Sequence, residues 1–387
     1  MTAWWEAASV ADAGCDLTVY AGSVQRPLPV SVRTRTTLAR GRWRIPYGAL
    51  GTLRALALHD RIVARALPSL AGEIDVVHTW PLAGLQTLRT ARDLGIATVV
   101  ERPNAHTRFA YQAVARECER IGVVLPADQE HAHNETRLCK EEQEYDLADY
   151  LLCPSDFVVR TFRDEGFAPD RLLRHSYGYD ESIYHPAPAV GERDRSGGLD
   201  ALFVGVCAVR KGLHFALEAW LRSAASRTGT FRIAGEFLPG YEEKLAGMLA
   251  HPSVHVLGHR DDVPELMRRS DILMLPSIEE GFGLVCTEAI GSGCVPLVSD
   301  ACTELCVHEQ DSLVHTVGDV DALTRHLTLL DRDRDRLAAM RVACLAAAPK
   351  LTWEVAGRQL LEVYEQAASA GAGRQRADGD LIGSAAG

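Results

Sequence analysis

Short β-branched and apolar runs recur along this chain, separated by segments of helix length. DLTVYAG (16–22), IDVVHTW (74–80), ATVVERP (97–103) and DYLLCPS (149–155) have the size and composition of strands. Helical stretches such as PLAGLQTLRTARDLG (81–95) lie between them. After residue 198 the rhythm restarts in ALFVGVC (201–207), FRIAGE (231–236), VHVLG (254–258), DILMLPS (271–277) and VPLVSD (295–300). Strands alternating with helices predict parallel sheets built from βαβ units. Each half carries its own set, so the expected fold class is α/β, with two Rossmann-like, doubly wound domains at 1–184 and 199–352. HPAPAVGERDRSGG (185–198), rich in proline, glycine and charge, reads as the linker. A final helix is expected over 353–368. From 369 the chain turns to alanine, glycine, serine and charge, which predicts a disordered tail over 369–387.

Composition narrows the function classes. The 387 residues are 47% apolar, enough for two sizeable cores. The net charge of −11 has the wrong sign for a nucleic-acid partner. Ten scattered cysteines form no CxxC pair, and several sit in apolar runs, which points to a reduced, cytoplasmic setting. No run is long and apolar enough to span a membrane, and the opening MTAWWEAASVADAG does not have the charge-then-apolar pattern of a signal peptide.

Ligands of doubly wound sheets bind beyond the carboxyl ends of the strands. Two crossings in the second half are rich in glycine and charge there. In VGVCAVRKGLHFALEAW (204–220) a strand ends near Gly205, and Arg210 and Lys211 precede an amphipathic helix. Free amides and the dipole at a helix start favour an anion, and two adjacent cations suit a diphosphate. The bland alternative is a solvated Arg–Lys pair. The Walker pattern is absent. In PSIEEGFGLVCTEAIGSGCVPLVSD (276–300), Glu280 lies on a glycine loop and Glu288 lies one turn or more into the next helix. Phe282, Gly283 and Leu284 would present main-chain amides between them. A carboxylate suits paired hydroxyls, so the order hydroxyl, phosphate, hydroxyl has the shape of a nucleotide sugar. The alternative is that Glu279 and Glu280 are exposed loop acids and Glu288 ties down a helix end.

This second stretch resembles the signature of glycosyltransferase family 4, retaining enzymes of the GT-B fold. FVGVCAVRKGLHFALEAW resembles the family's phosphate-binding crossing, RHSYGYDESIYHP (174–186) its passage at the end of the first domain, and LTWEVAGRQLLEVYEQ (351–366) its last helix. The similarity is strong from about residue 150 onward. The resemblance implies two Rossmann-like domains facing across a cleft, with the acceptor on the side of 1–184 and a nucleoside-diphosphate-sugar donor on 199–352. The helix at 353–368 would return to the first domain. Glu280 would bind donor-sugar hydroxyls, Glu288 the ribose, and Arg210 and Lys211 the diphosphate. The amides of Phe282, Gly283, Leu284 and Val285, near Gly205, would contact phosphate and sugar. His106, in ERPNAHTRF, would approach the sugar. Transfer would proceed with retention by front-face displacement, with no cofactor and no metal. The acceptor is open: a lipid, a metabolite or a glycan. Two other classes remain: another GT-B enzyme, such as a sugar-phosphate synthase or an epimerase, and a non-catalytic module that binds a nucleotide sugar or a partner.

The chain departs from the family pattern in three places. It opens inside what resembles the first helix, so a first strand and glycine-rich loop are expected to be missing. A truncated start is preferred to a shorter variant in which Trp4 and Trp5 cover the gap. Gly205–Val206 stands where relatives often have Gly-Arg, and Cys302 stands where many have glycine; a packing role is expected for that cysteine. Weaker signals remain. His78 reads as structural, and EHAHNE (130–135) as a polar helix face and not a metal site. The Asp-x-Asp triplets at 319–321, 331–333 and 378–380 read as a helix start, a charge run and part of the tail. SVRTRTTLARGRWRIP (31–46) places five arginines, Arg33 to Arg44, around Trp43. The choice there is between a peripheral contact with a membrane or anionic acceptor and a solvated basic loop.

Overall fold

The computed structural model describes residues 2–45, 50–187 and 197–384, without the side chains of 371–384. In the first half, β1 (Thr18–Ala21) and β2 (Arg33–Thr36) pair in parallel, and β3 (Ala39–Arg40) and β4 (Trp43–Arg44) form a short hairpin. β5 (Val76–Thr79), β6 (Ala97–Glu101), β7 (Tyr150–Cys153) and β8 (Leu172–Arg174) form a parallel sheet in that order. The parallel strands of this domain lie in two pieces, the β1–β2 pair and the four-stranded sheet.

The second half holds six parallel strands: β9 (Asp200–Val204), β10 (Thr230–Ala234), β11 (Val254–Gly258), β12 (Ile272–Leu275), β13 (Val295–Ser299) and β14 (Leu313–His315). Their spatial order is β11-β10-β9-β12-β13-β14. The order reverses between β9 and β12, and a crevice opens beyond the carboxyl ends of strands at such a point. β12 and β13 are buried at every residue, because helices cover both faces of the sheet. The helix Leu213–Arg222 inserts Leu213, Phe215, Leu217 and Trp220 into this core, and the Trp220 indole N–H donates to Ser253 Oγ at 2.9 Å. Each such side chain contributes on the order of 1.5–3 kcal/mol.

The helix that starts at Trp353 crosses to the first domain. Its Leu360, Val363 and Ala367 are buried with Val10, Val99, Leu152 and Leu173. Trp5, in the helix Thr2–Asp12, stacks on Trp353 with ring centroids 6.0 Å apart. This last helix runs to Ser384, so most of the expected tail extends it. Its alanine, arginine and glutamine residues favour continuing a helix that packing has already nucleated. Most of the expected linker, 188–196, lies outside the described residues, as do 385–387.

The basic stretch 31–46, read partly as a loop, contains β2 and the hairpin. Every residue of β2 is exposed, and so are Trp43 and Arg44. Among the described residues, no helix is long and apolar enough to cross a membrane.

Candidate functional site

Both glycine-rich crossings end at the point where the strand order reverses. After β9 the chain passes Gly205 and Val206, makes one turn of helix at Val209–Lys211, and enters the helix Leu213–Arg222 at Gly212. Gly212 has φ +67°, and a Cβ there would lie 1.9 Å from the Pro276 carbonyl oxygen. The two loops thus touch backbone to backbone, and Ile278 N–H donates to the Arg210 carbonyl at 2.7 Å. Gly205 N–H donates to the Ala234 carbonyl at 3.0 Å, which fixes the first loop on the sheet. Val206 is exposed and uncharged; the cations of this loop are Arg210 and Lys211.

After β12 the loop runs to Gly283, which caps the helix Leu284–Ser292. A helix leaves its first-turn amides without internal partners, so those near Gly283, Leu284 and Val285 are available to an anion. Phe282 is buried, its ring edge-on to Tyr177 with centroids 5.3 Å apart. It anchors the loop on the first domain and leaves only its main chain for a ligand.

Of the two expected acids, Glu280 meets both expected cations. Lys211 Nζ pairs with Glu280 Oε2, and Arg210 Nη1 lies 3.7 Å from Glu280 Oε1. Ser277 Oγ donates to Glu280 Oε2 at 3.3 Å. Burial alone would raise the Glu280 carboxyl, but Lys211 and Arg210 outweigh it and hold it below its ordinary range. Glu288 stands apart from this cluster. Burial pushes its carboxyl up to about 7, against the opposing effect of a hydrogen bond with Tyr184.

Sequence reasoning missed two participants. The alternative reading makes Glu279 an exposed loop acid, yet it is fully buried. It accepts the Ala105 N–H at 3.1 Å and faces His131 Nε2 at 3.3 Å and Arg210 Nη1 at 3.6 Å. Burial would raise its carboxyl, but His131 and Arg210 bring it down to about 2. His131 belongs to EHAHNE, of which residues 130–134 form a turn before the helix Glu135–Leu147 and not a helix face. Glutamate doublets on loops are commonly solvated, so the available signal was positional: the doublet precedes the glycine turn.

His106 was expected near the donor sugar. The structure turns its ring into the first domain, where it caps the helix Thr107–Ile121 by accepting the Arg108 N–H. It packs against Tyr145, Phe162 and Phe167, and burial with Arg102 and Arg108 nearby lowers it to about 3. It reads here as a packed, neutral structural residue. Cys302 is buried, with Sγ 3.6 Å from the Leu275 carbonyl. Asp319 caps the helix Val320–Arg332, and Asp333, read as part of a solvated charge run, caps Arg334–Ala347.

Residues 198–333 match the family model described as Glycosyl transferases group 1. The chain is 28% identical over 362 residues to a D-inositol 3-phosphate glycosyltransferase of Mycobacterium tuberculosis, an alignment that covers 86% of this chain and 68% of that one. A sucrose-phosphate synthase from Thermosynechococcus elongatus superposes with TM-score 0.67 at 17% identity over 94% of this chain and 92% of that one. Anabaena HepE in complex with UDP-glucose superposes with TM-score 0.63 at 16% identity over 94% of each chain. WaaG, a glycosyltransferase involved in lipopolysaccharide biosynthesis, gives 0.61 at 16% identity over 93% of this chain and 94% of that one. The fold is GT-B, and the likeness to the group 1 glycosyltransferases seen in the motifs extends over most of the chain.

Proposed function

We propose that this relative of the group 1 glycosyltransferases moves a sugar from a nucleoside-diphosphate sugar to an acceptor hydroxyl, with retention and without a metal ion. The observation that carries the reading is the meeting of Arg210, Lys211, Glu280 and the helix start at Gly283 where the strand order reverses. Two cations and a set of helix-start amides suit a diphosphate, and flanking carboxylates suit sugar and ribose hydroxyls. The similar HepE structures hold UDP and UDP-glucose, which favours a nucleotide-sugar donor here.

On this reading Arg210, Lys211 and the amides of Phe282 to Val285 stabilise the departing diphosphate, the role a metal plays in other transferases. Glu280 orients the sugar and Glu288 the ribose. The bond from the anomeric carbon to phosphate oxygen breaks, the acceptor oxygen bonds to the same face, and the acceptor proton passes to a phosphate oxygen. The acceptor is a lipid, a metabolite or a glycan. The exposed arginines of β2 and the hairpin, with Trp43 beside Arg42, would rest on an anionic surface, which fits a cytoplasmic protein peripheral at a membrane.

A screen of UDP-, GDP- and ADP-sugars in excess chelator tests the reading. One donor should raise the melting temperature and be slowly hydrolysed, and Glu288→Ala should lose both effects. If no nucleotide sugar shifts the wild type, the reading fails and a partner-binding role replaces it.

A further inference from the structure

A cluster of titratable side chains lies behind the donor loop, inside the first domain. Glu6 of the helix Thr2–Asp12, Glu101 at the end of β6 and His175 just past β8 meet there. One oxygen of each carboxyl and one ring nitrogen of His175 lie within 4.8 Å of one another. Glu6, Glu101 and His175 are 5%, 0% and 4% exposed. Glu101 is well partnered. The Tyr177 hydroxyl donates to its Oε1 at 2.6 Å, His175 Nε2 is 3.0 Å from the same oxygen, and His78 Nε2 of β5 is 3.4 Å from Oε2. The Glu6 carboxyl meets Glu101 itself, through a hydrogen bond.

A hydrogen bond between two carboxyl groups needs a proton between their oxygens, and two buried carboxylates at this range cannot both be ionised. We infer that Glu6 and Glu101 share one buried proton and that the pair positions the donor loop through Tyr177, so that losing the proton releases the first helix and loosens the loop. The proton belongs to Glu6. Burial first, and then Glu101, push the Glu6 carboxyl well above its ordinary range. Burial would also raise Glu101, but His175 and His78 outweigh it and hold that carboxyl low. The path to the loop is aromatic. Tyr177, held by Glu101, packs edge-on against Phe282 with centroids 5.3 Å apart and lies 6.0 Å from the Trp353 ring. Trp353 stacks on Trp5, the residue before Glu6. The first helix and the donor loop are thus two ends of one row of rings.

The unfolded chain releases the Glu6 proton near its ordinary 4.5, and the folded chain keeps it to higher pH. The unfolded state then binds fewer protons, and stability falls as pH rises. This contribution is complete below about pH 4.5 and is lost as pH passes the raised value. Glu101 acts in the opposite sense, and only in acid: its contribution is present above about pH 4.5 and is lost as pH falls below that. The other titratable groups facing the pair are His78, His175, Tyr177, Cys153 of β7, and Cys15 and Tyr364 on the side of the two helices. Arg102 is the fixed charge beside Tyr177. Burial raises both tyrosines and both thiols, so they stay protonated near neutrality. That this loop serves a donor rests on the proposed transfer; the shared proton does not.

The test compares full-length wild type with Glu6→Gln and Tyr177→Phe between pH 6 and pH 10. The wild type should show the infrared band of a protonated carboxyl at pH 8, and Glu6→Gln should lose it. The melting temperature of the wild type should fall with rising pH by at least twice the fall in Glu6→Gln. Hydrogen exchange, corrected for the intrinsic effect of pH, should speed up about fivefold in the first helix and in residues 279–285 of the wild type, and in neither segment of Glu6→Gln. Tyr177→Phe keeps the ring and removes its bond to Glu101, so the helix should still respond to pH and the loop should not. Folding of both variants is checked by far-ultraviolet dichroism, and the wild-type infrared and exchange results stand without them. Absence of a protonated carboxyl at pH 8, or the same pH response in wild type and folded Glu6→Gln, overturns the shared proton. A loop whose exchange ignores pH in the wild type, or follows it in Tyr177→Phe, overturns the positioning. None of these readouts needs a nucleotide sugar, so failure here and failure of the proposed transfer are separate results.

Discussion

Glu279 accepts a hydrogen bond from the Ala105 N–H at 3.1 Å, across the boundary between the two domains. The same carboxylate faces Arg210, one of the two cations assigned to the diphosphate. One buried side chain therefore contributes both to the placement of that cation and to the contact between the domains. Glu279→Gln keeps an acceptor for Ala105 and removes the charge facing Arg210 and His131. It is expected to raise the donor KM about tenfold, in line with about 1.5–3 kcal/mol for a charged hydrogen bond, with a smaller change in kcat. Glu279→Ala should also lower the melting temperature. Wild-type kinetics in both variants would remove Glu279 from the site.

At Gly281 the second domain meets the first main chain to main chain. A Cβ there would lie 1.5 Å from the Pro103 carbonyl oxygen, and Ser155 Oγ donates to the Gly281 carbonyl at 2.6 Å. Main chain cannot yield as a side chain does. Gly281→Ala is expected to displace the loop from the first domain, cutting kcat/KM at least tenfold while far-ultraviolet dichroism stays unchanged. Full activity in this variant would mean that the closed arrangement is not the productive one.

Much of this arrangement was legible in the sequence, for identifiable reasons. β12 and β13 are short, nearly continuous apolar runs, because the inner strands of a parallel sheet covered on both faces are buried throughout. Glu280, Arg210 and Lys211 were legible because glycine turns and helix starts leave a local pattern. β8 and β14 are three residues each, too short to show a period, and β2 is an all-exposed Arg-Thr alternation. His106 misled because a histidine in a loop looks the same whether it faces a cleft or caps a helix. Glu279, His131 and the cluster at Glu101 depend on residues far apart in the chain, which periodicity does not report.

Lys211 and Glu280 separate stability from binding. Lys211→Met leaves the buried Glu280 without its nearest cation, and breaking a buried pair from one side costs about 3–5 kcal/mol. Adding Glu280→Gln removes the stranded charge, so the double variant should regain most of the lost stability. Donor binding should not return, because both diphosphate and sugar contacts are gone. Thermal melts with and without donor read the two effects on one sample. Recovery of donor binding in the double variant would show the pair to be structural only.

Glu288 should give the protein a distinctive pH response. Its carboxyl is raised to about 7 from the ordinary 4.5 by burial, with the Tyr184 hydrogen bond acting in the opposite direction. Between those values the folded chain holds a proton that the unfolded chain has released. The unfolded state then binds fewer protons, and stability falls as pH rises. This contribution is complete below about pH 4.5 and is lost as pH passes through 7. Glu288→Gln cannot titrate, so its loss of melting temperature between pH 5.5 and pH 8 should be smaller than that of wild type, by about 2–4 °C for each kcal/mol involved. Donor binding should run the other way. Ribose hydroxyls donate to an ionised carboxylate, so the melting shift given by the nucleotide sugar should grow from pH 6 to pH 8 in wild type and stay flat in Glu288→Gln. Parallel pH curves for the two proteins, with and without donor, would place the titration elsewhere and take Glu288 out of the ribose role.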